Sequence, residues 1–171
     1  SHEFGGWAPP IGIEWVVDGL SGLLMVAISI VPLISLVHAG PLVEKELPGR
    51  VIPFYSLSLL LVAALGGMVL TGDLFNLFVF LEIGSLASYV LVGVAGGRSL
   101  HSAFCYLILG TIGASLYLLG VGYFYAETGT LNMADLAQRL PEVIDSRAVL
   151  TGLLFIVLGL AIKLGLFPLH G

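Results

Sequence analysis

Charge is scarce in this chain. Only 10% of its 171 residues are Asp, Glu, Lys or Arg, and the formal net charge of −5 is scattered, with no basic run. That excludes a grip on nucleic acid and a polybasic lipid-binding flank. Cysteine is scarcer still: Cys105 is the only one, which excludes an internal disulfide and any iron–sulfur cluster held by this chain alone. There is no Gly-rich phosphate loop, nucleophile–base pair, HExxH run or CxxCH run, so neither cofactor nor metal is expected, nor catalysis by the chain by itself. His101 and Cys105 share a helical face at i, i+4, but two ligands do not make a zinc site. The opening stretch, SHEFGGWAPPIGIEW, has no basic region before an apolar core and does not read as a signal peptide. It also lacks a start methionine, so the chain reads as a fragment or a processed product.

What is present is apolar. Hydrophobic residues make up 58% of the chain and the mean hydropathy is +1.08, outside the range of soluble domains. Five continuous stretches, 17–38, 51–72, 74–95, 101–125 and 148–169, are long enough to span a hydrocarbon core, which takes roughly 20 helical residues. Strands are not expected in them, because continuous apolar runs do not alternate and isolated strands leave backbone groups unpaired in lipid. The sequence thus predicts an all-α membrane protein of about five transmembrane helices, with residues 1–16 as a polar N-terminal segment and 17–171 as the helical domain. In the loop 126–147, Leu136, Leu140 and Val143 recur at helical spacing after Asn132, which predicts a surface helix over about 132–144 that Pro141 interrupts. Small residues four apart, at Ala63/Gly67, Gly84/Ser88, Gly110/Ala114 and Ala161/Gly165, are expected to let helices approach closely.

Against this background two charges stand out, Glu82 in the third stretch and Lys163 in the fifth. An ionised group at bilayer depth costs several kcal/mol by most measures and is seldom kept there unless paired and functional. Glu82, Ser85 and Tyr89 follow at i, i+3 and i+7, a polar seam on one helical face. A glutamate that merely ties helices together, or a lysine that snorkels to the interface, is the structural alternative. Beyond Lys163, Pro168 removes a backbone donor and Gly165 adds slack, which predicts a broken last helix. Asp18 and Asp73 each begin a stretch, with Ser21 and Asn76 three residues on, as N-caps do. Thr111 and Ser115, at i, i+4, either line a hydrated path or bond back to the helix carbonyls.

Read together, VDGLSGLL, TGDLFNLFVFLEI, YLILG, YAETGTLNMADLA and GLAIKLGLFPLHG resemble the antiporter-like subunit family. That family comprises the D-type component of Mrp Na⁺/H⁺ antiporters, the matching component of membrane-bound hydrogenases and the proton-pumping membrane subunits of respiratory complex I. The GTLNMADLA run is most similar to the Mrp D-type branch. The resemblance implies that Glu82 pairs with Lys163, the latter on a helix broken near the FPLH run, and that the pair moves protons, or Na⁺ against protons. Asp73, Ser85, Tyr89, Thr111, Ser115 and His170 are then candidates to line or support the path. It also implies one antiporter-like half-channel whose partners are lipid and the other membrane subunits of an antiporter, hydrogenase or complex I-like assembly in a prokaryotic plasma membrane. The expected role is transport within a larger machine that as a whole can be an oxidoreductase. The competing reading is a structural anchor subunit of such a redox complex. Where many family members carry Lys or Arg, this chain has Cys105.

With five spans the two ends lie on opposite sides. The positive-inside rule, applied to Lys45, Arg50 and Arg98 in short loops, puts 41–50 and 96–100 in the cytoplasm. Single cysteines at Glu44 and Gln138, in a background with Cys105 replaced, should therefore react with an impermeant maleimide from opposite faces of the membrane. Reaction from one face would refute the topology.

Overall fold

The computed structural model describes residues 2–3, 7 and 9–166 of the chain. A two-residue antiparallel ribbon, β1 (His2–Glu3) and β2 (Glu14–Trp15), precedes six helices. They are α1 (Gly19–Glu46), α2 (Val51–Leu70), α3 (Leu74–Gly93), α4 (Arg98–Thr128), α5 (Met133–Val143) and α6 (Arg147–Lys163). Helices α1 to α4 are each long and apolar enough to cross a membrane. With 17 described residues, α6 stops inside the fifth predicted span.

The ends of these helices are written in side chains. Asp18 caps α1 by accepting from the Ser21 N–H at 2.7 Å, and the Ser21 hydroxyl oxygen accepts from the Asp18 N–H at 2.7 Å. The same Ser21 N–H holds the Asp18 carboxyl below its ordinary value. Asp73 Oδ1 accepts from the Asn76 N–H at 2.7 Å, Asn132 Oδ1 from Ala134 and Asp135, and the Ser146 hydroxyl from Ala148. Each uses one or two of the orphan donors that a helix N-terminus leaves.

Two boundaries differ from expectation. The loop predicted over 41–50 is helical as far as Glu46, and α1 runs through both Pro32 and Pro41. α5 likewise continues past Pro141 to Val143. A proline removes only its own donor and perturbs one turn, so the hydrogen bonds of the turns on either side can carry the helix through. At 28 residues α1 is about 42 Å long, more than the ~30 Å hydrocarbon core.

The chain packs as two units. One comprises residues 17–70 and 80–107, the other 1–16, 71–79 and 108–171. In the first, α1 lies against α2, and Tyr55 of α2 donates to the Leu36 carbonyl of α1 at 3.0 Å. Gly84 of α3 abuts Ala64, Met68 and Leu61 of α2, while Gly67 leaves room for the Phe80 ring. These helices are apolar all round, as in Ile52 (79% exposed) and Val37 (72%), so lipid or other protein must cover them.

In the second unit α4 and α6 touch backbone to backbone. A Cβ at Gly120 would sit 2.5 Å from the Gly152 carbonyl oxygen, and one at Gly159 would sit 2.5 Å from that of Gly113. The close crossing therefore uses Gly113/Gly120 against Gly152/Gly159, seven apart, whereas four-apart spacing had been expected to do this. Two turns of helix return a residue to nearly the same face, so a seven-residue interval serves a near-parallel contact as well as a four-residue one. α5 is the one amphipathic helix, and it buries Leu136 with Phe124 and Val149, flanked by Leu74, Leu140, Val143 and Ile156.

One end of this unit is closed by a polar cap made from three distant segments. The Gly72 N–H donates to the Glu14 carbonyl at 3.0 Å, Met133 N–H to the Gly72 carbonyl at 2.8 Å, and Leu74 N–H to the Leu131 carbonyl at 3.0 Å. Asn132 Nδ2 donates to Glu14 Oε1 at 2.9 Å, and Asn76 Nδ2 to the Thr71 hydroxyl oxygen at 3.0 Å. Thr71, Asp73, Thr128, Thr130 and Asn132 are all buried, and their hydrogen bonds to one another and to nearby backbone are what make that burial tolerable. Outside the cap, Arg139 donates to the Thr128 carbonyl at 3.0 Å and to Asp135 at 2.9 Å, and the latter contact holds the Asp135 carboxyl below its ordinary value.

Gly120→Ala and Gly159→Ala should each lower the thermal stability of the detergent-solubilised protein, by about 1–3 kcal/mol, since the added methyl meets backbone that cannot move aside. Gly122→Ala, where nothing lies within 4 Å, is the control and should gain about 0.5–1 kcal/mol. Equal behaviour of the three would show that α4 and α6 do not cross at these glycines. Asn132→Leu, which removes both the α5 cap and the tie to Glu14, should cost about 1–3 kcal/mol. The check is the unfolding temperature, with protease sensitivity at residues 128–133 as the local readout.

Candidate functional site

The polar seam lies on the first unit's part of α3, where the surrounding residues are Phe, Leu and Val. Glu82 and Ser85 are half-buried and Tyr89 is buried at 5% exposure. Ser85 and Glu82 are both near enough to act electrostatically on the Tyr89 hydroxyl. One helical face therefore carries three polar groups in register, as their spacing dictates. From α4 the ring of Tyr106 meets Tyr89 edge to face, with centroids 4.5 Å apart and planes at 76°. Such a pair fixes the Tyr89 ring and, through it, the hydroxyl next to Ser85.

Lys163 is the last residue of α6 and is half-buried. Immediately after it the chain turns: Leu166 N–H reaches back to the Ala161 carbonyl at 3.0 Å and Gly165 N–H to the Ile162 carbonyl at 3.1 Å. Gly165 adopts φ +61°, a left-handed conformation that glycine takes without strain, which completes a Schellman turn. A cation at the C-terminal turn also sits at the negative end of the helix dipole. Pro168 and His170 lie outside the described residues. Glu82 belongs to one unit and Lys163 to the other.

Of the remaining sequence candidates, Asp73 is buried in the polar cap and caps α3, so its hydrogen bonds are those of a structural group. The Ser115 hydroxyl donates to the Thr111 carbonyl at 2.9 Å, the back-bonded arrangement, and both residues are exposed. His101 and Cys105 stand 3.7 Å apart on the exposed face of α4.

Three features escaped sequence reasoning. Tyr117, almost wholly buried, stacks on Phe78 with centroids 6.3 Å apart and donates to the Leu74 carbonyl at 3.3 Å. Tyr106 packs on the seam, and Glu14 anchors Asn132. For Tyr117 and Tyr106 the only available signal was an aromatic residue amid aliphatic ones, and nothing in that composition says what the ring faces. For Glu14 there was a carboxylate in an otherwise polar lead-in, with its partner 118 residues away.

Residues 71–171 match the family described as NADH:quinone oxidoreductase/Mrp antiporter, transmembrane. The chain is 56% identical over 166 residues to the NADH-quinone oxidoreductase N subunit of Desulforudis audaxviator, covering 97% of this chain and 33% of that protein. It is 38% identical over 171 residues to the D-type subunit of the Na⁺/H⁺ antiporter of Alkalihalophilus pseudofirmus, covering 98% of this chain and 34% of that one. Among solved structures it superposes on a chain of the membrane-bound sulfane sulfur reductase, an archaeal respiratory membrane complex, with a TM-score of 0.84 and 37% identity over 98% of this chain and 34% of that chain. The chain spans about a third of the length of the curated relatives it matches. Both the complex I and the Mrp branches of the resemblance are thus represented, and the identity to the quinone oxidoreductase relative exceeds that to the antiporter relative. With four helices among the described residues long and apolar enough to cross a membrane, and this kinship, it is an integral membrane protein, and the bacterial and archaeal sources of its relatives fit a prokaryotic plasma membrane. By family match, sequence identity and fold, the chain belongs to the NADH:quinone oxidoreductase/Mrp antiporter transmembrane family, as an antiporter-like membrane subunit.

Proposed function

We propose that the chain forms part of a proton or Na⁺/H⁺ pathway in a larger membrane complex, with Glu82 and Lys163 as an interacting pair and Lys163 as the proton carrier. The observation that carries the reading is the placement of these two ionisable side chains, each half-buried, on otherwise apolar helices of an antiporter-family chain. Two opposite unit charges ~4 Å apart attract by roughly 4 kcal/mol at an effective dielectric of about 20. An interaction of that size is comparable to the cost of holding an ion in an apolar bundle, so making or breaking the pair would decide whether the lysine keeps its proton. Ser85 and Tyr89 support the pair by orienting Glu82. In this reading the turn of the chain after Lys163 is where water reaches the ammonium.

In the same reading the partners are lipid and the remaining membrane subunits of an Mrp- or complex I-like assembly, and transport needs segments that these 171 residues do not include. In the full-length protein within its complex, Lys163→Ala and Glu82→Ala should each reduce proton translocation roughly tenfold or more while the complex still assembles. Lys163→Arg should assemble normally and remain impaired, because a guanidinium does not release its proton near neutral pH. If Lys163→Arg and Glu82→Gln both pumped at the wild-type rate, the carrier assignment would fall and a structural anchor role for the pair would take its place.

A further inference from the structure

The unit comprising 17–70 and 80–107 carries an open apolar groove of about 370 Å³ between the last turns of α3 and the first half of α4. Its walls are Leu86, Val90 and Gly93 on one side and Leu100, Ala103 and Phe104 on the other, and Leu86, Val90, Leu100 and Phe104 are each more than half exposed. The volume is within the range of small-molecule sites, roughly 300–1,000 Å³, while the lining offers almost no hydrogen-bonding group. An occupant must therefore be apolar along this length.

The groove has a charged end. Where α3 passes into α4, the Arg50 guanidinium donates to the carbonyl of Val94, a lining residue, and lies over Gly96 at 3.2 Å from where a Cβ would stand. Arg98 opens α4 two residues before Leu100, and its side chain is exposed. A guanidinium has five donors, more than one carbonyl can use. No Asp or Glu occurs from residue 83 to residue 126, so no acidic group on the facing parts of α3 and α4 offsets this end.

From this charge complementarity we propose that the groove binds an anionic phospholipid, with one acyl chain between α3 and α4 and the phosphate held by Arg50 and Arg98. The Val94 hydrogen bond pins Arg50 at the groove end, so less rotamer entropy is lost when it meets the phosphate than for a side chain that is free to snorkel. A zwitterionic lipid could fill the same apolar walls but brings its own cation towards the two arginines. A helix of a neighbouring subunit could cover the walls but offers the arginines nothing unless it carries an acid.

The test uses the purified full-length protein in detergent, titrated with phosphatidylglycerol or phosphatidylcholine of matched acyl chains, with bound lipid counted by native mass spectrometry and the unfolding temperature followed in parallel. Wild type should bind phosphatidylglycerol about tenfold more tightly than phosphatidylcholine. Arg50→Gln/Arg98→Gln should bring the two lipids level, and Ala103→Phe should weaken both by occupying the groove. Inorganic phosphate at the same concentrations should not compete, since it lacks the chain. Equal affinity of the wild type for the two lipids, no lipid retained, competition by phosphate alone, or an unchanged preference in the double arginine variant would each overturn the proposal. Because the arginine variants lie at an exposed end, an unfolding temperature unchanged in the absence of lipid shows that they fold, and Ala103→Phe tests the groove independently of charge.

Discussion

The constraint on which this structure depends is that a polar group at bilayer depth must find its partner within the protein. Helices meet most of that demand alone, which is why the described chain is nearly all helix and why its only described β ribbon lies before the first span. What helices cannot satisfy is left at their ends. There the caps of Asp18, Asp73, Asn132 and Ser146, and the Schellman turn after Lys163, use the orphan donors and acceptors. The polar cap joining Glu14, the Thr71–Asp73 turn and residues 128–132 extends the same rule from single helix ends to a shared lid. Three chain segments meet there because each has donors that the others' carbonyls can accept.

Packing between helices follows from the same solvent. Lipid gives apolar faces no reason to associate, so helices that stay together must gain dispersion contacts by close approach. Gly113, Gly120, Gly152 and Gly159 permit that for α4 and α6, and Gly84 does so for α3 against α2. The cost is backbone entropy at every glycine in a helix, tolerable here because the helices are long and otherwise rich in Leu, Ile and Val. Tyr117 and Val149, the largest wholly buried side chains, flank this crossing, so the region of tightest approach is also the best packed.

Within such a frame a charge is conspicuous. The seam of Glu82, Ser85 and Tyr89 keeps its polar groups on one face of α3, and the Tyr106 ring packs on Tyr89 at one end of it. Lys163 occupies the opposite kind of place, at the end of a helix where the chain turns away. The groove above Gly93 and Ala103 lies on the same pair of helices as the Tyr89–Tyr106 contact, so a lipid bound there would press on α3 and α4 close to the seam.

The sequence by itself determined the membrane class, four of the crossing helices to within a few residues at their starts, every N-cap that was named, and the two charges that set the functional question. These are local properties: hydrophobic length, one-turn hydrogen bonds and composition act over a few residues and need no partner. The family kinship was legible for a related reason, since ordered motifs such as TGDLFN and GTLNMADLA are linear. Only the tertiary structure decided that those two motifs join through Asp73 and Asn132, that Glu14 reaches across 118 residues, and that seven-apart glycines carry the α4–α6 contact. It also decided that the Tyr106 ring bears on Tyr89, and that α1 and α5 run through their prolines. Each depends on which helix faces which. In a chain apolar on every face, hydrophobic periodicity says nothing about that, because the pattern which marks the buried side of a soluble helix is absent here.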